Sequence, residues 1–164
     1  LVHAKQMSDR SIPFIFDPGQ GMPMLDSEEL VDLIELADWV SVNEYEAAVM
    51  EQRTNLSSRE ISERVKAYIV TRGSQGSTIF SEGKTLEIPP VQAAQLSDPT
   101  GCGDAYRAGL LYGFVNDFDL MKTGRLASVL GAIKVASKGT QNHNLNRQVV
   151  ETLYEKAFAE KIDW

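Results

Sequence analysis

Apolar residues fall along this chain in short blocks of about five, separated by stretches in which they recur every three to four positions. The blocks predict strands and the periodic stretches predict helices. Ile12-Pro13-Phe14-Ile15-Phe16 ends in the turn cluster Asp17-Pro18-Gly19, the pattern of a buried parallel strand that opens into a loop at its C-terminal end. Asp26-Ser27-Glu28-Glu29 begins a helix with an acidic first turn, and Leu30, Leu33, Ile34 and Ala37 give that helix an apolar face. Trp39–Asn43 is the next strand. Helical periodicity then runs from Glu44 to about Gln52 and again over Ser57–Lys66. A third apolar block, Ala67–Thr71, leads into Arg72-Gly73-Ser74-Gln75-Gly76. Ser77–Ser81 and Lys84–Ile88, split by Glu82-Gly83, predict a hairpin, and Pro89-Pro90 closes the section.

Farther on, Ala105–Val115 is apolar almost all round, which predicts a buried helix. Ala105, Ala108 and Gly109 would let it press closely on a sheet. Leu126, Val129, Leu130 and Ile133 form a stripe on another helix, with Gly139 as its expected end. Val149–Phe158 makes a last amphipathic helix. Strands alternating with helices predict an α/β fold, a mostly parallel sheet flanked by helices. Ligands of such sheets bind outside the carboxyl ends of the strands. Asp17, Asn43, Thr71–Gly76 and Thr100–Asp104 all fall at those ends or at a loop–helix junction, so four polar clusters are expected on one edge.

With 164 residues, 43% of them apolar, the chain can bury one core of normal size. A net charge of −7 argues against a nucleic-acid surface. No stretch is long and apolar enough to span a membrane, and no signal peptide is visible. The single cysteine, Cys102, excludes an internal disulfide framework and fits a reducing, cytoplasmic setting.

The richest chemistry lies in Asp98-Pro99-Thr100-Gly101-Cys102-Gly103-Asp104-Ala105-Tyr106-Arg107-Ala108-Gly109. Two glycines one residue apart run straight into a helix. The first N–H groups of a helix lack internal partners and the macrodipole adds positive charge there, so such an end collects anions. Glycine lets the backbone come close. A carboxylate in the same turn would repel phosphate unless it has a task, and the natural one is to take the proton of an attacking hydroxyl. An ordinary loop with Asp104 as a helix cap is the alternative for the short motif alone.

The longer string resembles the second signature of the ribokinase-like (PfkB) family of carbohydrate and nucleoside kinases, D-T-T-G-A-G-D-A-F-x-A-G, from which it departs at Pro99, Cys102 and Arg107. It is neither a Walker A loop nor a dinucleotide fingerprint. Within the family it is most similar to bacterial adenosine kinases. The resemblance implies a ribokinase-like, Rossmann-type sandwich, and ATP with Mg2+ as cofactors. Members are roughly twice as long, so residues 1–164 are expected to be the nucleotide-binding C-terminal half of one α/β domain, without the N-terminal half and its lid, and inactive alone. A homodimer is compatible with the family.

The resemblance also implies roles. Gly101, Cys102 and Gly103 would form the anion hole and Asp104 the base, with Arg107 one helical turn later on the substrate side. Asn43-Glu44-Tyr45-Glu46 matches the family's N-x-x-E, which implies Asn43 on a phosphate oxygen and Glu46 on metal-bound water; solvated acids on a first helical turn are the alternative. Thr71, Gly73 and Gly76 match the family's V-T-x-G-x-x-G loop against the nucleotide, though a plain turn explains them too. Asp98 and Thr100 match positions that bind a monovalent cation, usually K+, and the alternative is an Asx turn before Pro99. Lys138-Gly139-Thr140-Gln141 follows where relatives carry K-G-A-Q near that ion and the adenine. Cys102, at a helix N-terminus, is expected to have some thiolate character. The activity implied is transfer of the γ-phosphoryl of Mg-ATP to the 5′-hydroxyl of adenosine. A ribokinase or other sugar kinase, and a nucleotide-binding module without catalysis, are the rival readings.

Overall fold

Three of the apolar blocks lie side by side in a computed structural model that describes all residues, Leu1–Trp164. The chain forms two compact units, Leu1–Gly73 with Ser77–Glu87, and Ser74–Gly76 with Ile88–Trp164.

In the first unit, β1 (Ile15–Phe16), β2 (Trp39–Asn43) and β3 (Ala67–Thr71) run parallel, with Trp39 beside Ala67 and Asn43 beside Thr71. β4 (Ser77–Ser81) joins β3 antiparallel, and β5 (Lys84–Ile88) completes the order β1-β2-β3-β4-β5. Glu82 and Gly83 link β4 to β5 with positive φ at both positions, 50° and 71°, as a tight two-residue hairpin requires. β1 is shorter than the apolar block predicts. Ile12 and Pro13 are exposed, and a proline has no N–H for a ladder. The block is anchored instead by Phe14, whose N–H donates to Asp38 Oδ2 at 3.1 Å.

The helices of this unit are α1 (Val2–Asp9), α2 (Ser27–Leu36), α3 (Glu44–Thr54) and α4 (Ser58–Ser62). α1 buries no residue and has no apolar stripe to announce it. α4 is half the length that its periodicity suggests. Leu30, Ile34, Met50 and Ile61 are fully buried in one core with Val40 and Tyr68. Each such side chain contributes roughly 1.5–3 kcal/mol when removed from water. The core holds the helices to the sheet and leaves the carboxyl ends of β2 and β3 fixed.

The second unit contains α5 (Cys102–Val115), α6 (Leu120–Val135) and α7 (Arg147–Phe158). Leu126, Val129 and Ile133 of α6 pack with Val150 and Tyr154 of α7 and with Ile162. Two expectations need correction. α5 is not buried all round: Tyr106, Gly109, Leu110 and Gly113 are buried, but Leu111, Tyr112 and Val115 face outward. Gly109 and Gly113 press on α6, while Ala108 is exposed. A Cβ on Gly109 would stand 2.5 Å from Ala127 Cα, and one on Gly113 would stand 2.4 Å from Thr123 Oγ1. α6 stops at Val135, before Gly139, which sits in the following loop at φ +76°.

Candidate active site

The carboxyl ends of β2 and β3 meet where Asn43 registers with Thr71. Asn43 is the N-cap of α3. Its Oδ1 accepts the Glu46 N–H at 2.9 Å and Glu46 Oε2 accepts the Asn43 N–H at 2.9 Å, a reciprocal capping box. The box leaves Asn43 Nδ2 and Glu46 Oε1 for any other partner. Thr71 Oγ1 donates to Val42 C=O at 3.3 Å. Arg72 pairs with Glu87, which also accepts from Thr78 Oγ1 at 3.1 Å, so its guanidinium is held along the sheet. Gly73 has φ +53° and open space around it. Gly76, which belongs to the second unit, has a plainly structural need for glycine. A Cβ there would stand 2.1 Å from Ile88 O and 2.9 Å from Pro90 N.

In the second unit α5 starts on Gly101, at φ 82° and with no side-chain cap. The Cys102 N–H turns back to Pro99 C=O at 3.1 Å. Of the three predicted cradle residues, Cys102 therefore has its N–H already engaged, and the donors of the first turn without an acceptor in the chain are the N–H groups of Gly103 and Asp104. Asp104 is exposed, and its Oδ1 accepts from Arg107 Nη2 at 2.7 Å. The structure thus brings the predicted base and the predicted substrate-side arginine together on one helical turn. Burial pushes the Cys102 thiol up from its ordinary value, more than the nearby Lys134 ammonium draws it down. That direction, set by desolvation and the neighbouring Asp98, runs against the expected thiolate character.

Asp98 does not fit a monovalent cation. Its Oδ1 accepts the Thr100 N–H and its Oδ2 accepts the Gly139 N–H, each at 2.9 Å; the first is the Asx turn. These donors hold its carboxyl down at about 2. Its C=O accepts from Lys134 Nζ at 2.7 Å. Lys134 is fully buried on α6, and its Nζ also reaches Ser137 C=O at 3.4 Å. A free cation on Asp98 would lie beside a fixed one, and two unit charges about 4 Å apart repel by roughly 4 kcal/mol at an effective dielectric near 20. Mg2+ is a different case. No three His, Cys, Asp or Glu side chains gather anywhere in the chain, but Mg2+ needs only one or two carboxylates besides phosphate and water. The free Glu46 Oε1 fits that demand.

The match to known proteins is extensive. Residues 3–147 match the pfkB family of carbohydrate kinases. The chain belongs to that family. Among curated relatives, a nucleoside kinase of Methanocaldococcus jannaschii is 41% identical over 131 residues, 78% of this chain and 42% of the relative. Solved complexes of the Burkholderia thailandensis nucleoside kinase with inosine and with ADP-inosine each superimpose with a TM-score of 0.95 at 45% identity. They cover 97% of this chain and 52% and 50% of theirs. The ribokinase of Arabidopsis thaliana with ribose and ATP follows at a TM-score of 0.75 and 26% identity, over 93% of this chain and 50% of that one. This pfkB-family chain thus spans about half the length of the relatives that it matches.

One residue that matters to the loop escaped the sequence. Lys134 is the lone cation in the apolar run Leu130-Gly131-Ala132-Ile133-Lys134-Val135, and that interruption was its only signal.

Proposed function

We propose that this chain supplies the nucleotide-binding and catalytic half of an ATP-dependent nucleoside kinase, which moves the γ-phosphoryl of Mg-ATP to a 5′-hydroxyl, with adenosine the first acceptor to test. One observation carries the reading. In a pfkB-family chain, the first turn of α5 starts on the left-handed, uncapped Gly101 and leaves the Gly103 and Asp104 N–H groups without an acceptor, with an exposed Asp104 carboxylate beside them.

In this reading the N–H groups hold charge that builds on the phosphoryl group, the kind of preorganised donor whose loss typically costs about 2.7–4 kcal/mol of barrier. Asp104 takes the hydroxyl proton on the oxygen that Arg107 leaves free, while Arg107 fixes the carboxylate's orientation and stands on the substrate side. Asn43 Nδ2 donates to phosphate. Glu46 Oε1 orders water on Mg2+, which when bound would neutralise phosphate charge. Thr71 and Gly73 line the nucleotide, and Gly76 keeps that loop in place. The nucleoside choice is supported by the nucleoside kinases above, and the adenosine choice by the Asp98–Gly109 string. The ribokinase of Arabidopsis thaliana, similar over 93% of this chain, keeps a sugar acceptor as the second reading.

The test is ADP formation from Mg-ATP by the complete gene product that carries this chain, with adenosine, inosine and ribose as acceptors and Asp104→Asn as control. Turnover on a nucleoside that collapses in Asp104→Asn is expected. Turnover on ribose alone moves the acceptor to a sugar. ATP binding without transfer to any acceptor refutes the kinase reading.

A further inference from the structure

The buried Lys134 takes no part in the transfer proposed above. Its ammonium is the end of a flexible side chain that α6 keeps wholly out of water, and a buried charge persists only when paired and hydrogen-bonded. Here two backbone carbonyls, of Asp98 and Ser137, accept from it at 2.7 and 3.4 Å, and the Asp98 carboxylate adds a weaker attraction. Around it the chain is pinned repeatedly. Ser97 and Asp98 N–H both donate to Val135 C=O, at 2.9 and 3.1 Å, Gln95 Nε2 donates to Ala136 C=O at 3.0 Å, and Gly139 N–H donates to Asp98 Oδ2. All these bonds join the segment just before Gly101 to the end of α6. A potassium ion held by protein carbonyls asks for the same environment: oxygen lone pairs gathered around a single positive charge.

We infer that the Lys134 ammonium is a tethered replacement for a monovalent cation, setting the loop before α5 without potassium. The functional meaning rests on the kinase reading, but the structural claim does not. A free ion holds its site only as far as its concentration and affinity allow. A tethered ammonium is always present, so the loop that carries Gly101 and Asp104 should be indifferent to the salt around it.

Thermal melts and rubidium-soaked crystals test this without any catalysis. The unaltered chain should melt at one temperature in potassium, sodium and choline chloride at equal ionic strength. Lys134→Met, which keeps an unbranched side chain one atom shorter and removes its charge, should melt lower and recover several degrees in potassium but not in choline. Potassium-specific stabilisation of the unaltered chain overturns the inference, and so does a folded Lys134→Met that potassium does not help. If that variant fails to fold, the crystals decide: an anomalous rubidium peak at the Asp98 and Ser137 carbonyls of the unaltered protein refutes the replacement, and no peak there upholds it. Where the complete gene product proves to be a kinase, its turnover should not change with potassium, whereas that of Lys134→Met should fall by roughly 10–100-fold in choline, somewhat less than the effect of a whole lost donor. A protein with no kinase activity would still pass or fail the melting and rubidium tests.

Discussion

Gly109→Ala should destabilise this chain even though alanine is the best helix former. At a mid-helix position the exchange alone gains up to about 1 kcal/mol. The added Cβ, however, would stand 2.5 Å from Ala127 Cα and 2.9 Å from its N. Both atoms are backbone, which no rotamer can move aside. Ordinary contact begins near 3.4 Å, so α5 and α6 must part by up to about 0.9 Å along that line, the 3.4 Å less the 2.5 Å. A gap of that size forfeits about a quarter to a half of the dispersion between the faces, and overpacking of this kind costs about 1–3 kcal/mol. The net expectation is a loss of up to about 2 kcal/mol, a fall in melting temperature of up to roughly 8 °C for a chain of this size. Gly131→Ala is the matched control. It too lies inside a helix, but its Cβ would find only Cys102 O, at 3.8 Å, so it should melt about 2–4 °C higher through propensity alone. Calorimetry on the two variants settles the matter. If Gly109→Ala melts at or above Gly131→Ala, the close helix contact is not what the backbone geometry implies.

Three further outcomes are expected. Gly101→Ala has room, with Thr140 at 3.5 Å, so its cost is conformational, about 1–2 kcal/mol for a left-handed φ; urea unfolding that shows no loss would contradict this. Asn43→Ala removes the cap of α3 and should cost about 1 kcal/mol, whereas Glu46→Gln keeps the capping box; it should melt like the unaltered chain yet, where the complete gene product proves to be a kinase, raise the Mg2+ needed for half-maximal turnover. Asp98, whose folded carboxyl titrates at about 2 against 3.8 when free, contributes stability that is complete above the free value and lost as pH falls through the folded one. Melts taken down this range should show a steeper decline for the unaltered chain than for Asp98→Asn, and parallel curves would refute the assignment.

The strands β2 to β5 were legible to the residue because β3, β4 and β5 are blocks closed by turn clusters and β2 is an apolar block that gives way at once to helical periodicity. The acidic first turn after Asp26 announced α2, and the periodicity from Glu44 announced α3. β1 was over-read because Ile12 and Pro13 look like strand in a one-dimensional pattern, while Pro13 cannot pair. α1 left no trace, since a helix that buries nothing needs no stripe. The apolar girth of α5 predicted burial, but pattern alone cannot say what covers a face. Nor could it say that Gly109 meets a helix, because a small residue announces close approach and not its partner. In the site, the motif residues were visible by resemblance. What escaped was their internal engagement: the Asn43–Glu46 box, the Cys102 N–H on Pro99, and the Lys134 ammonium on Asp98.

The contrast among helix starts has a consequence for evolution. α2, α3, α4, α6 and α7 each begin with a side chain that accepts from their own first turn, whereas α5 begins on a bare glycine. A glycine start costs roughly a few tenths of a kcal/mol against a capped one, and an anion bound at this turn would offset it. Heat resistance in this chain should therefore rise with added nucleotide or phosphate, by about 2.7 kcal/mol at a hundredfold excess over the dissociation constant. Selection for robustness alone would be drawn to this turn and would repair it from within. On the kinase reading, a survivor of that kind would be sturdier and shut to phosphate, and the open turn is what selection for transfer would keep.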